Sequence, residues 1–455
     1  MTIRRMIIVA MVLLLLAGAF GPLVIQDGYL VERYLPSPLN IAIFAACVLL
    51  VFVMKDPLLQ IICAGWSCWF LVGNLFIIGS YFRRRLLAPL FVQDANTLFL
   101  VAIACFAVGA IVGERVSGRP ALSQRNQLPP DRPAGLSLFA LAMFPLAYAA
   151  ALLIWRIPTI TSGENIVDLM YEVDKGPIYA IRSVLALSIL AVATRIDGHL
   201  ARSRKLMLMG VVLAVLVLSI LDGKRDVALV SLVAIGAHLL LAQGARISVR
   251  QIASVVIVGV AYALIADLRS NRTAADEAPI LYVLTALGVE YKDFVHSINY
   301  LSIEQMQALG YDWVRSSVAS VLNRNILQIF GVDKDIWVQM DSARAWMRAY
   351  GITLGIRTGI VSELYYAFGL GLFPAMTLSG WLFSRLVRAL RRSRQGSYWY
   401  IYLLAVYGNF GLAITTQTTA LLGSAVTLTY ALVTLLFLDW MTKRRSAVRH
   451  GKALT

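Results

Sequence analysis

The chain has 455 residues, of which 59% are hydrophobic and only 15% charged, and its formal net charge is +16 at pH 7. This composition, with a mean hydropathy of +0.74, excludes an ordinary soluble globular domain and predicts an integral membrane protein. The positive charge is spread over many loops, so it does not indicate a nucleic-acid groove.

Apolar runs long enough to cross a hydrocarbon core recur twelve times along the chain. They predict an all-α polytopic membrane protein, because backbone groups in lipid must be satisfied within each helix. Pro57 is expected to begin the third helix after a tight turn at Lys55 and Asp56. The predicted spans are 6–25, 40–54, 57–79, 96–114, 136–156, 178–195, 206–221, 227–243, 252–267, 368–387, 399–416 and 421–439.

Clusters of Lys and Arg predict the orientation of these spans. The positive-inside rule places short basic loops in the cytoplasm. The clusters at 4–5, 202–205, 388–394 and 443–445 then fall on one side with both termini. This leaves residues 268–352 outside, as a long loop between the ninth and tenth helices of a single transmembrane domain, residues 1–455.

The long outer loop is expected to fold as a cap. Its acidic and basic residues nearly balance, which favours a folded segment over a polybasic tail. Apolar residues recur at near-helical spacing over 279–301, so an amphipathic helix is predicted there. Tyr365, Tyr366 and Phe368, which follow the loop, are expected to pack at the bilayer boundary.

Sequence motifs typical of metal, nucleotide or hydrolase sites do not occur in the sequence. The four cysteines all fall inside predicted spans and the four histidines are scattered, so neither a disulfide framework nor a metal site is predicted. No phosphate-binding loop, dinucleotide fingerprint or nucleophile elbow occurs, and no cofactor is expected.

Several Lys and Arg residues lie on the predicted outer side, where the positive-inside rule does not favour them, and they indicate an anion site. Lys224 and Arg225 lie beside the expected N-terminus of the eighth helix, where backbone N–H groups also favour an anion. Arg269 and Arg272 follow the ninth span, and Arg357 precedes the tenth. If they converge, charge-assisted bonds hold a diphosphate. Alternatively, Lys224 and Arg225 extend to lipid head groups.

The layout resembles the bacterial O-antigen or oligosaccharide repeat-unit polymerases, the Wzy type, over nearly the whole chain. The resemblance rests on the twelve spans, the Gly-Lys-Arg turn at 223–225, the large outer loop and the run from Gly355-x-Arg357 to Glu363-x-Tyr365. Arg-x10-Gly spacings at 225–236 and 344–355 also match. The resemblance implies a GT-C-like fold in the bacterial inner membrane, with residues 268–352 as a periplasmic cap.

This family resemblance implies a metal-independent glycosyl block transfer for O-antigen or exopolysaccharide synthesis. A glycan on undecaprenyl diphosphate is the donor, and a hydroxyl of a second lipid-linked repeat unit attacks its anomeric carbon. Because the donor is already activated, the protein supplies positioning and charge stabilisation. The implied partners are both lipid-linked glycans, membrane lipids, a chain-length regulator and a flippase, without nucleic acid.

The reaction assigns roles to individual residues. Glu363 is predicted to be the general base, because a carboxylate within hydrogen-bond reach commonly removes such a proton; the alternative is an ion pair with an arginine. Asp226 and His296 are other candidates for the base. Arg225 and Arg357 are further predicted catalytic residues. The predicted diphosphate ligands are Lys224, Arg225, Arg269, Arg272 and Arg357.

Two other functions fit a polytopic chain. An O-antigen ligase shares the layout, but ligases are associated with a histidine in the outer loop near the tenth span. In this chain Glu363 occupies that neighbourhood and His296 lies too far upstream. A flippase or secondary transporter is the second alternative. Such proteins favour ionisable residues at mid-depth and internal repeats, and the sequence has neither pattern.

Overall fold

A computed structural model describes the fold within residues 36–78, 89–116, 138–161, 177–194, 202–221, 225–242, 289–351 and 359–451, and at positions 7, 9, 11 and 12. Its regular secondary structure over these residues is helical throughout. The α-helices are α1 (Pro38–Val53), α2 (Pro57–Ile78), α3 (Pro89–Val116), α4 (Leu138–Thr161), α5 (Pro177–Ala193), α6 (Arg202–Leu221), α7 (Arg225–Ala242), α8 (Val289–Tyr300), α9 (Ile303–Ala308), α10 (Trp313–Val321), α11 (Arg324–Ile329), α12 (Lys334–Val338), α13 (Ser342–Tyr350), α14 (Gly359–Phe368), α15 (Leu372–Arg392), α16 (Tyr398–Gly411) and α17 (Thr418–Gly451).

The predicted all-α class is confirmed over the described residues. Helices α1 to α7 and α15 to α17 coincide with ten of the twelve predicted spans. The span predicted at 252–267 lies outside the described residues, and the first span is described only at four positions. Among the described residues, three stretches are long and apolar enough to cross a membrane: Val92–Val116, Gly359–Arg392 and Thr418–Phe437. The number of spans and their orientation stay predictions.

The chain divides into two compact units, each built from separate parts of the sequence. Helices α1 to α3, α8 to α14 and most of α15 belong to the first unit, and α4 to α7, α16 and most of α17 belong to the second. The first unit comprises Met1–Arg119, Gln243–Val387 and Ala413–Leu422, and the second comprises Pro120–Ala242, Arg388–Leu412 and Gly423–Thr455.

A tight turn joins α1 to α2, as the sequence predicted. The carboxylate of Glu114, near the end of α3, accepts hydrogen bonds from the backbone N–H of Lys55 at 3.0 Å and of Asp56 at 2.7 Å. Asp56 Oδ1 then accepts from Leu58 N at 2.9 Å, which satisfies an otherwise unpaired N–H in the first turn of α2. Pro57 begins this helix, where its missing N–H costs no hydrogen bond.

Helices α3 and α15 approach each other at backbone distance within the first unit. A Cβ atom at Gly109 would overlap the carbonyl oxygen of Thr377, and one at Gly380 would overlap that of Phe106. Such close approach requires glycine, and small residues at the contact are typical of helices that pack within a membrane.

Helix α8, the first described element of the predicted cap, is anchored to α2 and α3 by an aromatic cluster. The Tyr291 ring lies edge-on to Trp69 at 5.2 Å and to Phe99 at 5.3 Å, and its hydroxyl donates to Asn96 Oδ1. Gly73 leaves room for the ring, since a Cβ there would overlap Tyr291 Cδ1. Helix α8 lies within the amphipathic helix predicted at 279–301, of which residues 279–288 lie outside the described residues.

Short capped helices continue the cap from α9 to α13. Isolated helices of this length are unstable, so side chains at their starts must satisfy the free backbone N–H groups. A small apolar core joins the cap to α14 and comprises Met306, Tyr311, Ala345, Trp346 and Tyr366. The N-cap side chains belong to Ser302, Asp312, Asn323, Asp333 and Asp341.

Candidate functional site

Helix α14 carries Glu363 into the interior of the first unit, where its side chain is 0% exposed. The helix starts at Gly359, whose φ is +75°. Only glycine fits this position, because a side chain would be strained at that φ and its Cβ would overlap the Ile414 carbonyl oxygen. Ile360 N donates to Ala413 O at 3.1 Å. These contacts hold α14 against the segment that precedes α17.

One carboxylate oxygen of Glu363 is bound by the first residue of α17. Oε2 accepts hydrogen bonds from the backbone N–H of Thr418 and from its hydroxyl, the latter at 2.6 Å. A helix N-terminus favours a negative group, because its first N–H groups lack partners within the helix. Glu363 therefore caps α17 from a distant part of the chain.

The Thr418 hydroxyl is fixed in turn by the cap. Trp313, the first residue of α10, donates its indole N–H to Thr418 Oγ1 at 2.8 Å. Indole N–H is a donor only, so the hydroxyl proton is left to be donated to Glu363. Trp313, Thr418 and Glu363 thus form a directional chain of hydrogen bonds from the cap to the carboxylate.

The second carboxylate oxygen of Glu363 is free within the described part of the chain. Oε1 is buried and accepts no hydrogen bond there. The salt bridges found among described residues lie elsewhere, between Asp312 and Arg315, Arg324 and Asp335, and Asp341 and Arg344. A buried, unpaired carboxylate oxygen is costly, so Oε1 is well suited to accept a hydrogen bond or a proton from a bound molecule.

Two tyrosines hold the backbone of α14 at this position. The Tyr311 hydroxyl donates to the carbonyl oxygen of Glu363 at 3.0 Å, and burial raises the pKa of Tyr311, which keeps it a donor. Tyr366 donates to the carbonyl oxygens of Ser297 and, at 3.4 Å, Leu301. Tyr366, expected at the bilayer boundary, is thus a buried link between α14 and the end of α8.

A second acidic residue, Asp341, lies near enough to Glu363 for their charges to interact. Burial raises the pKa of Asp341, and its Oδ1 accepts from the backbone N–H of Arg344 at 2.7 Å. The adjacent Ser342 hydroxyl accepts from Gln417 Nε2 at 3.1 Å, which joins α13 to the residue before Thr418. The start of α13 therefore borders the same polar site.

The structure describes only some of the predicted site residues. Arg225 is the first residue of α7 in the second unit, followed by Asp226, so a helix begins where one was expected. The His296 ring stacks on Tyr300 at 5.2 Å and meets Trp346 edge-on at 6.3 Å, within the aromatic packing of the cap. Four other predicted diphosphate ligands lie outside the described residues, and their convergence stays a prediction: Lys224, Arg269, Arg272 and Arg357.

Thr418, Tyr311 and Trp313 were not identified from the sequence as site residues. One local feature indicates a helix start at Thr418. The preceding apolar run ends there, and a polar residue just before a new apolar run is typical of a helix N-terminus. Over the described residues, no group of three or more His, Cys, Asp or Glu is arranged to hold a metal ion. Comparison of the chain with protein-family models, curated proteins and solved structures gave no match.

Proposed function

We propose that this protein polymerises undecaprenyl-diphosphate-linked oligosaccharide repeat units at the periplasmic face of the bacterial inner membrane. The observation that carries the proposal is the Glu363 carboxylate, with Oε2 held by Thr418 and Oε1 buried without a described partner. Three membrane-capable stretches in the described chain agree with a lipid-linked substrate.

In the proposed step, Glu363 Oε1 takes the proton of the acceptor hydroxyl as the acceptor oxygen bonds to the donor's anomeric carbon. The bond between that carbon and the diphosphate oxygen breaks, and the lipid diphosphate leaves with the electron pair. Arg225 and Arg357 neutralise the charge on the leaving group, assisted by Lys224, Arg269 and Arg272.

The competing explanation for Glu363 is purely structural, because the same carboxylate caps α17. A glutamine at this position separates the two roles. Its amide oxygen still accepts the hydrogen bonds from Thr418, whereas it cannot take up a proton from a sugar hydroxyl. Glu363→Gln is therefore expected to preserve the helix cap and to abolish the transfer reaction.

The test replaces the gene in a bacterial strain with one polymer locus and compares the surface glycan on gels. Glu363→Gln, Arg225→Ala and Arg357→Ala should each abolish long chains while single repeat units still reach the surface. Glu304→Gln, the same change at an exposed glutamate of α9, is the matched control and should retain long chains. Long chains from all three site variants at normal abundance would refute the assignment.

The same strains distinguish the alternative functions. Loss of a flippase leaves the lipid-linked units on the cytoplasmic side, so no single unit would appear at the surface. Loss of a ligase leaves long chains on the lipid diphosphate carrier, unattached to lipid A core. Either result with Glu363→Gln would contradict a polymerase.

A further inference from the structure

Helix α10 exposes two of its valines and buries two of its serines, although Arg315 is also exposed and Ala319 is buried. Val314 is 61% exposed, whereas Ser316 and Ser317 are buried. Val321, at the end of the helix, is also exposed. In a cap surrounded only by water, burial of the valines and exposure of the serines would be favoured. The exposed valines of α10 therefore suit a surface that contacts an apolar phase.

Apolar side chains are also exposed at the end of α11 and in the turn that follows it. Ile329 is 80% exposed and Phe330 73%, while Leu327 of the same helix is buried and anchors it. Gly331, with φ of +69°, reverses the chain directly after these two side chains and leaves them at the tip of a turn. Ile336 of α12 is also exposed. These exposed side chains are called the apolar outer face of α10 to α12, a segment that also exposes polar residues such as Asn325 and Gln328.

The charged groups in this segment are paired within the protein. Arg324 forms a salt bridge with Asp335, and Lys334 Nζ donates to the carbonyl oxygen of Leu322 at 2.7 Å. The cations of α11 and α12 thus have partners inside the cap and do not form an unpaired basic patch for an acidic protein. The surface thus combines paired charges and uncharged polar side chains with the exposed apolar area.

The apolar outer face lies beside a helix that is long and apolar enough to cross a membrane. The Trp313 ring, at the start of α10, packs edge-on against Phe368 at 5.1 Å. Phe368 and Leu370, which is 75% exposed, belong to the membrane-capable stretch Gly359–Arg392. The contact between Trp313 and Phe368 therefore places the start of α10 next to this membrane-capable stretch.

We propose that the outer face of α10 to α12 rests on the lipid bilayer, with Ile329 and Phe330 inserted at the boundary between head groups and acyl chains. Apolar side chains of interfacial helices typically reach about 5–10 Å into this region. The bilayer is the apolar phase that borders the adjacent stretch, so the surface needs no further protein to cover it. This contact is independent of the proposed reaction.

The test uses the full chain reconstituted in phosphatidylcholine and phosphatidylglycerol vesicles. An environment-sensitive fluorophore is attached to Ile329→Cys or Phe330→Cys, and to Gln307→Cys at an exposed polar position of α9 as the control. Unsubstituted protein measures labelling of the native thiols, of which Cys47, Cys63 and Cys68 are buried. Quenching is measured with iodide in the water and with doxyl-labelled lipids in the bilayer.

Labels at positions 329 and 330 should be quenched by the doxyl lipids and protected from iodide, and the label at 307 should show the reverse. Depth analysis should place the first two about 5–10 Å into the interface. Quenching by iodide equal to that at 307 would overturn the proposal. Protection from both quenchers would also overturn it, because another protein or a second copy would then cover the surface.

Discussion

Replacing Thr418 with valine removes one hydroxyl from the centre of the Glu363 site. In the structure this hydroxyl donates to Glu363 Oε2 at 2.6 Å and accepts from Trp313 Nε1 at 2.8 Å. A hydrogen bond to a charged group contributes about 1.5–3 kcal/mol and a neutral one about 0.5–1.5 kcal/mol. Thr418→Val is therefore expected to lower the free energy of unfolding by about 2–4.5 kcal/mol.

The loss is measured by thermal denaturation of the purified protein in detergent. The fraction of protein that stays folded and monodisperse is followed with temperature, and the variant should have a lower midpoint temperature. Thr418→Ser is the matched control, because it keeps the hydroxyl and removes only the methyl group. A double-mutant cycle isolates the Trp313 bond. Trp313→Phe should destabilise the wild type more than it destabilises Thr418→Val, in which the acceptor of the indole N–H is already gone.

Two outcomes would refute this reasoning. Equal midpoints for Thr418→Val and the wild type would mean that the hydroxyl does not bridge Trp313 and Glu363. Additive effects of Trp313→Phe and Thr418→Val would mean that the indole and the hydroxyl act separately. Surface glycan from the same strains adds a functional readout: Thr418→Val should reduce long chains and Thr418→Ser should retain them, because the hydroxyl orients Glu363.

Two further predictions concern the elements around the site. Tyr366→Phe should lower the unfolding free energy by about 1–3 kcal/mol, since the buried Ser297 carbonyl and the part-buried Leu301 carbonyl lose their donor. Tyr365→Phe should change the unfolding free energy little, and equal thermal midpoints for wild type and Tyr366→Phe would contradict this prediction. Burial raises the pKa of Asp341 above its ordinary value of 3.8, because the buried carboxyl favours the protonated form. The stability that this shift contributes is therefore fully present below pH 3.8 and is lost as the pH rises through the folded-state pKa. The midpoint difference between wild type and Asp341→Asn should therefore favour the wild type most in acid, and a difference that is constant with pH would contradict it.

The turn between α1 and α2 illustrates what local sequence predicts well. An apolar run, a short charged interruption and a proline at the next helix start are all properties of neighbouring residues. The sequence therefore placed both helices and the turn at Lys55 and Asp56 correctly. It did not identify Glu114, because the residue that satisfies the turn comes from the end of α3.

The span predicted at 399–416 shows that hydropathy does not locate the end of a helix. The apolar run continues past the end of α16 at Gly411, so the local pattern does not indicate that the helix stops there. The residues after it accept a hydrogen bond from the start of α14 and lead to the N-terminus of α17. Packing against α14 determines this break in the helix, and hydropathy carries no information about that contact.

The sequence by itself determined the helical class, most helix positions and the choice of Glu363 as an acidic residue with a possible role. Only the tertiary structure decided what surrounds that carboxylate. Trp313 and Thr418 are 105 residues apart, yet they join in one hydrogen-bonded chain to Glu363. Helix formation in an apolar segment depends on neighbours a few residues away, whereas the partner of a buried polar group is set by which distant segments the fold brings together.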